Sequence, residues 1–207
     1  MRGLLNIALC LVLLGSFSML PAQYGLPDTL APQAAPDTLL LYNVDSAEVR
    51  LADFKDKKAL VLIFTSNHCV YSKKYEDRVM QTATDYIAKG FAFALVNSNS
   101  PELSQEDRFD IMRQRAEEKK YPCPYLQDPG SRLAIALGVR KNPAAFVMIW
   151  KDGKPEIVYS GKIDDNPLME SRVEHHYLRE VLEKINAGEM DAVEPVPAVG
   201  CPIKRLD

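Results

Sequence analysis

Read as a pattern of apolar and polar positions, the chain alternates short, wholly apolar runs with stretches in which apolar residues recur every three or four positions. Ala59-Leu60-Val61-Leu62-Ile63-Phe64 is apolar throughout, the pattern of a central strand covered on both faces. From Val70 to Lys89, Tyr71, Tyr75, Val79, Ala83 and Tyr86 fall on one face of a helix, which Gly90 stops. Phe91 to Val96 reads as a second buried strand, and Asn97 to Pro101 as a loop. Ser104 with Asp107 resembles a capping box and predicts a charged helix running to about Lys119. Tyr125-Leu126 is a short extended piece; Asp128 then caps a helix with Pro129 at its first position and Gly138 past its end. Ala145 to Trp150 and Ile157 to Ser160 are strands joined through a tight turn at Asp152-Gly153. Asn166-Pro167 opens a last helix carrying Val173, Tyr177, Val181, Leu182 and Ile185. Ahead of these elements, Leu39–Val44 and Glu48–Leu51 pair as an edge hairpin. Strand–helix–strand units followed by an antiparallel hairpin and a closing helix predict an α/β fold, a mixed central sheet with helices on both faces.

The N-terminus stands apart from that domain. Arg2 precedes an apolar run from Leu4 to Leu20, and Pro21-Ala22-Gln23 follows, the order of a bacterial-type secretory signal. The run is short for a spanning helix and is interrupted by Asn6 and Gly15, so cleavage after Ala22 is expected rather than a retained anchor. The expected organisation is a signal peptide over 1–22, a linker and edge strand over 23–45, the folded domain over 46–188 and a C-terminal tail over 189–207. A periplasmic or extracellular location follows, with membrane contact only if the signal segment is kept. With 47% hydrophobic and 26% charged residues the composition is that of a globular protein, and a net charge of −3 argues against nucleic acid as a partner.

Removal of the signal takes Cys10 with it and leaves Cys69, Cys123 and Cys201, an odd number for an oxidising compartment and too few for a disulfide scaffold. Cys69 ends the apolar strand and opens the helix, so unpaired N–H groups and the positive end of the helix dipole face its sulfur and favour thiolate. The spacing to Ser72 is that of a redox C-x-x-C whose second cysteine is serine. Cys123, between two prolines, reads as a buried space-filler, the alternative being a second thiol that resolves Cys69. Cys201 lies beyond the last helix on a tail long enough to reach any face of the domain, so it serves either as a partner for Cys69 or, with Ile203, as an apolar anchor. His68 either adds positive charge beside Cys69 or is an ordinary polar residue at an exposed junction. His175 and His176 point about 100° apart on a helix and suggest no metal site. No cofactor is expected.

Asn67-His68-Cys69-Val70-Tyr71-Ser72 with Tyr75-Glu76-Asp77-Arg78 is similar to a signature of the thioredoxin superfamily in its redoxin, peroxiredoxin-like branch. Val96 to Asn99, Tyr121 to Asp128, Tyr159 to Asp165 and Val199 to Lys204 extend the resemblance over roughly Leu51 to the C-terminus. It implies a thioredoxin-like fold, and a cis proline at Asn142-Pro143 lying against Cys69, where an extended substrate pairs with the backbone of Asn142. The chain departs from its relatives at the site. Ser72 replaces the resolving cysteine of a dithiol thioredoxin, and Ile63 its buried acid. Leu62 and Ser66 stand where a peroxiredoxin carries proline and threonine, and Asn142 replaces the threonine common before the cis proline.

The leading expectation is an exported thiol–disulfide oxidoreductase of cell redox homeostasis, with Cys69 as its one active-site cysteine and a mixed disulfide as intermediate. Cys69, Ser72 and Cys201 are the candidate catalytic residues, and His68, Asn142 and Pro143 the candidate substrate contacts. Its partners would be a protein or low-molecular-weight disulfide or thiol and a separate electron donor. Two alternatives are a weak one-cysteine peroxidase with antioxidant activity, passing through a sulfenic acid, and a non-enzymatic binding module on the same scaffold.

Overall fold

The computed structural model describes residues 39–206; the expected signal segment and the start of the linker lie outside them. Strand β1 (Leu41–Asn43) pairs with β2 (Glu48–Val49) as the expected edge hairpin, and a 3-10 turn follows at Leu51–Phe54. Then come β3 (Leu60–Phe64), α1 (Val70–Ile87) and β4 (Ala92–Asn97). Helix α2 (Phe109–Lys119), β5 (Tyr125–Gln127), α3 (Arg132–Ala136) and the short β6 (Lys141–Asn142) lead into the hairpin β7 (Ala144–Lys151) and β8 (Lys154–Gly161). Helix α4 (Tyr177–Asn186) and β9 (Cys201–Pro202) complete the chain.

The seven-stranded sheet has the order β2-β1-β5-β4-β3-β7-β8. Strands β3, β4 and β5 are mutually parallel, whereas β7 runs antiparallel to β3 and β1 antiparallel to β5. Strand alternation divides the core in two. Val61 and Ile63 face a layer with Tyr75, Val79 and Tyr86 of α1, Met112 of α2 and Leu178, Val181, Leu182 and Ile185 of α4. Leu60, Leu62 and Phe64 face the opposite layer, with Leu51 and with Leu133, Ala134 and Leu137 around α3. Every residue of β3 is therefore buried, as its unbroken apolar run requires.

Three helix starts differ from those the sequence predicts, each because a polar side chain competes with the helix for backbone groups. The helix expected from Ser104 is broken: a 3-10 turn at Gln105–Asp107 ends in an extended Arg108 before α2 begins. Asp107 is drawn into the core by other donors, and Ser104 gives its hydroxyl proton to that carboxylate instead of capping. The helix expected from Asp128 is split by left-handed Gly130 and Ser131, and the Asp128 carboxylate accepts the N–H groups of Leu133 and Ala134 in α3 instead. The last helix does not start at Asn166-Pro167; it starts at Tyr177, so Val173 lies outside it. The Arg78 guanidinium binds the carbonyls of Asn166 and Pro167, and Asn166 caps the turn at Met169 through its own side chain.

Beyond α4 the tail runs along the outer edge of β8. Val193 N–H binds Val158 O at 2.8 Å, and Val196 bridges Ser160 and Lys162. Gly161 makes that approach possible: its φ is +141°, and a Cβ there would meet Val196 O at 1.9 Å. The edge strand of the sheet is thus covered by the chain's own end.

Arg78 of α1 and Asp164, just past β8, form a buried ion pair, and the Tyr75 hydroxyl donates to the same carboxylate at 2.7 Å. Asp164→Ala strands the guanidinium, and a loss of about 3–5 kcal/mol in urea unfolding is expected. A loss below about 1 kcal/mol would mean that water re-solvates Arg78 and that the pair does not hold α1 to the sheet.

Candidate functional site

The site lies where β3 hands over to α1. Cys69 is the N-cap of that 18-residue helix, in extended conformation, fully buried, with no acidic residue in the first helical turn. The helix dipole therefore acts on the sulfur without local competition from a carboxylate in that turn.

Cys69 is bonded to Cys201, with 5.8 Å between their Cα atoms and 132 positions between them in sequence. The tail reaches the sulfur as a strand. β9 pairs antiparallel with β6, with Asn142 opposite Cys201 and Lys141 opposite Pro202. The Asn142–Pro143 peptide is cis, and Asn142 O lies 3.3 Å from Cys69 Sγ. Beyond the ladder Ile203 N–H binds Arg140 O at 2.9 Å, Lys204 N–H binds the Asn99 side-chain oxygen at 2.9 Å, and Ser100 N–H binds Lys204 O at 2.6 Å. Ile203 and Ala198 pack on the layer that contains α3. Cys201 is thus joined to Cys69, and the apolar anchoring of the tail falls to Ile203 and Ala198.

The serines around Cys69 are engaged with Asn142 and the backbone. Ser66 Oγ accepts the Cys69 N–H at 3.1 Å and donates to Asn142 Oδ1 at 3.0 Å. Ser72 is buried; its hydroxyl donates to Asn142 Oδ1 at 3.3 Å and accepts the Ser66 N–H at 3.4 Å. Ser72 therefore holds the loop and the Asn142 amide together instead of directing its proton at the sulfur. His68, half exposed, meets the Glu106 carboxylate. Pro143 lines a small cavity with Ser66, Ser72, Glu76, Arg115 and Tyr121. Burial pushes the Glu76 carboxyl up, but the Tyr121 hydroxyl and the charges of Arg115 and Lys119 outweigh it and leave it below the usual carboxylate range. Cys123 packs against the core, and burial pushes its thiol up to about 12.

The sequence offers Asp107 only as a capping residue, and the structure gives it a larger part. It is buried, and four donors converge on it: Asn67 N–H at 2.6 Å, Asn97 and Asn99 Nδ2 at 2.8 Å each, and the Ser104 hydroxyl at 2.7 Å. Asn67 also receives the Tyr125 hydroxyl on its side-chain oxygen. One carboxylate thus fixes the backbone two residues before Cys69 and, through Asn99, the tail three residues after Cys201. The signal in the sequence is the run Asn97-Ser98-Asn99, which sets two amide donors at a strand end within reach of one carboxylate. Among the described residues no group of three or more His, Cys, Asp or Glu side chains is arranged to hold a metal.

A thioredoxin-type arrangement, a cysteine at a helix start beside a cis proline on a mixed sheet, defines the class. Residues 30–176 match the Redoxin family, and the chain belongs to it. Among curated proteins none matches. Among solved structures, an uncharacterised conserved protein of Geobacillus kaustophilus is 32% identical over 88% of this chain and 98% of its own, with a TM-score of 0.77. A hypothetical protein of Sinorhizobium meliloti is 28% identical over 84% and 94%, with a TM-score of 0.75. The pneumococcal exposed lipoprotein thioredoxin of Streptococcus pneumoniae is 21% identical over 70% and 98%, with a TM-score of 0.53, a likeness of fold.

Two measurements probe this geometry. After full reduction at neutral pH, iodoacetamide should modify Cys69 at least about ten-fold faster than Cys123, because only the thiolate reacts and Cys123 is held protonated; equal rates would remove the special status of Cys69. Asp107→Ala should cost about 3 kcal/mol or more in urea unfolding, since four donors lose their acceptor. It should also slow closure of the Cys69–Cys201 bridge on oxidation; an unchanged closure rate would show that Asp107 does not position the sulfur.

Proposed function

We propose that this redoxin is an exported thiol–disulfide oxidoreductase in which Cys69 is the attacking thiolate and Cys201 the resolving one. The observation that carries the reading is the strand of tail that brings Cys201 to Cys69 through the backbone of Asn142. In the reduced protein Cys69 attacks a substrate disulfide R–S–S–R′, forming Cys69–S–S–R and releasing R′–S⁻. The Cys201 thiolate then attacks the Cys69 sulfur, R–S⁻ leaves, and the Cys69–Cys201 bridge forms. A donor dithiol reduces the bridge and closes the cycle; run backwards, the same steps oxidise a dithiol. Ser72, with no sulfur to offer, leaves resolution to the tail. The single-cysteine motif is thus completed from 132 positions away rather than from an outside thiol.

The hydroxyl of Ser66, three residues before Cys69, argues against the peroxidase alternative. Its proton goes to Asn142 Oδ1, so it is not directed at a peroxide bound at the sulfur. Export is supported by the charged and apolar order of residues 2–22.

Cys201→Ser is the decisive variant. Challenged with glutathione disulfide, it should accumulate a glutathione adduct on Cys69 by mass spectrometry, whereas the wild-type chain should pass to the internal bridge and release the adduct. Cys69→Ser should form neither. A wild-type chain that retained the adduct with Cys201 free would defeat the resolving role. Hydrogen peroxide should be turned over poorly by the wild type; brisk turnover would favour the peroxidase.

A further inference from the structure

The tail occupies the backbone edge that an extended substrate would need, so tail and substrate exclude one another at Asn142. The contacts of the tail are then a record of what that edge accepts. Most are main-chain bonds indifferent to sequence: the pairing of Asn142 and Lys141 with Cys201 and Pro202, and the bonds of Ile203 and Lys204 to Arg140, Asn99 and Ser100. One position is not indifferent. A Cβ on Gly200 would lie 2.1 Å from Asn142 O and 2.7 Å from Asn142 C. The obstacle is backbone, and it cannot swing aside, because Asn142 is held on one side by Ser66 and Ser72 and on the other by β9. The position opposite Lys141 carries an exposed proline, so it demands neither an N–H nor a buried side chain. The next position buries part of an isoleucine on the α3 layer.

We infer that the edge vacated by the tail selects extended polypeptide segments in which glycine immediately precedes the reactive cysteine, with an apolar residue two positions after it. The inference rests on the exchange reading above, and it makes the substrate a cysteine-bearing polypeptide rather than a small disulfide. The captured species forms by Cys69–S⁻ attacking the segment's sulfur in segment–S–S–R′, giving Cys69–S–S–segment and R′–S⁻. The tail is then a tethered copy of the substrate, and its return to the edge both expels the segment and delivers Cys201.

The test uses the full-length Cys201→Ser protein, reduced, and two hexapeptides, Val-Gly-Cys-Pro-Ile-Lys and Val-Ala-Cys-Pro-Ile-Lys. Each peptide is capped on cysteine with 5-thio-2-nitrobenzoate, whose release is followed by absorbance. Rates are divided by those of the same peptides with free glutathione, which cancels intrinsic reactivity. The glycine peptide should react at least about ten-fold faster than the alanine peptide. Adding Gly200→Ala to Cys201→Ser should push the tail off the edge and raise the rate with the glycine peptide. Equal normalised rates, with the symmetrical nitrobenzoate disulfide still consumed rapidly, would overturn the selectivity and leave the exchange reading intact. No rise on adding Gly200→Ala would overturn the claim that tail and substrate share the edge. A Cys69 that attacks neither peptides nor the small disulfide would sink the exchange reading itself.

Discussion

Asn142 is where the site is held together. Its side-chain oxygen receives the hydroxyls of Ser66 and Ser72, from the loop before and the first turn of α1. Its carbonyl lies against the Cys69 sulfur, and its backbone pairs with Cys201. Three segments separated by some of the longest intervals in the chain therefore meet on one residue. A thiol at a helix start is reactive only if something presents a partner to it at bonding distance, and here the presenting element is a two-residue ladder whose register leaves no freedom. Shift that pairing by one position and Cys201 would turn to the other face.

The tail is fastened so that it can leave. Between Gly188 and Cys201 it contributes few buried side chains and makes mostly main-chain bonds near the surface, the kind of segment that opens at low cost relative to the sheet beneath it. Its two closest approaches both need glycine: Gly161 admits Val196, and Gly200 admits the Asn142 carbonyl. Those glycines serve two separate contacts: Gly161 receives the tail at Val196 on the edge of β8, and Gly200 lays the tail against Asn142. The covalent fastening is the sulfur bond, so in the proposed cycle redox state and tail position are linked.

The buried charged residues of α1 are structural. Glu76 and Arg78 follow Ser72 by one and by nearly two turns, yet one is locked by Arg115, Lys119 and Tyr121 and the other by Asp164. Both anchor α1, whose first residue positions matter for the chemistry, against α2 and the end of β8. Asp107 does the same for the loop on the other side of Cys69. Apart from its bond to Cys201, the Cys69 sulfur meets the helix dipole and the Asn142 carbonyl, and among the described residues no ionisable side chain is hydrogen-bonded to it.

The central strands, the long first helix, the C-terminal hairpin and the place of Cys69 at a helix start were legible in the sequence, because each is written in local terms: an unbroken apolar run, a period of three to four, a cysteine at a strand-to-helix boundary. Three helix starts were not: Asp107 gives its carboxylate to the distant Asn67 N–H, Asp128 caps α3 a turn later than the pattern suggests, and the carbonyl of Asn166 is taken by Arg78. The same limit applied to the cysteines. From sequence Cys201 had reach and two equal roles, and Ser72 had a hydroxyl free to meet a thiolate. That the hydroxyl turns to Asn142, and that Cys201 arrives as a strand opposite the same residue, depends on which backbone edges remain unpaired once the sheet is complete. Local periodicity cannot encode that edge; it exists only when β6 and the tail are brought together in three dimensions.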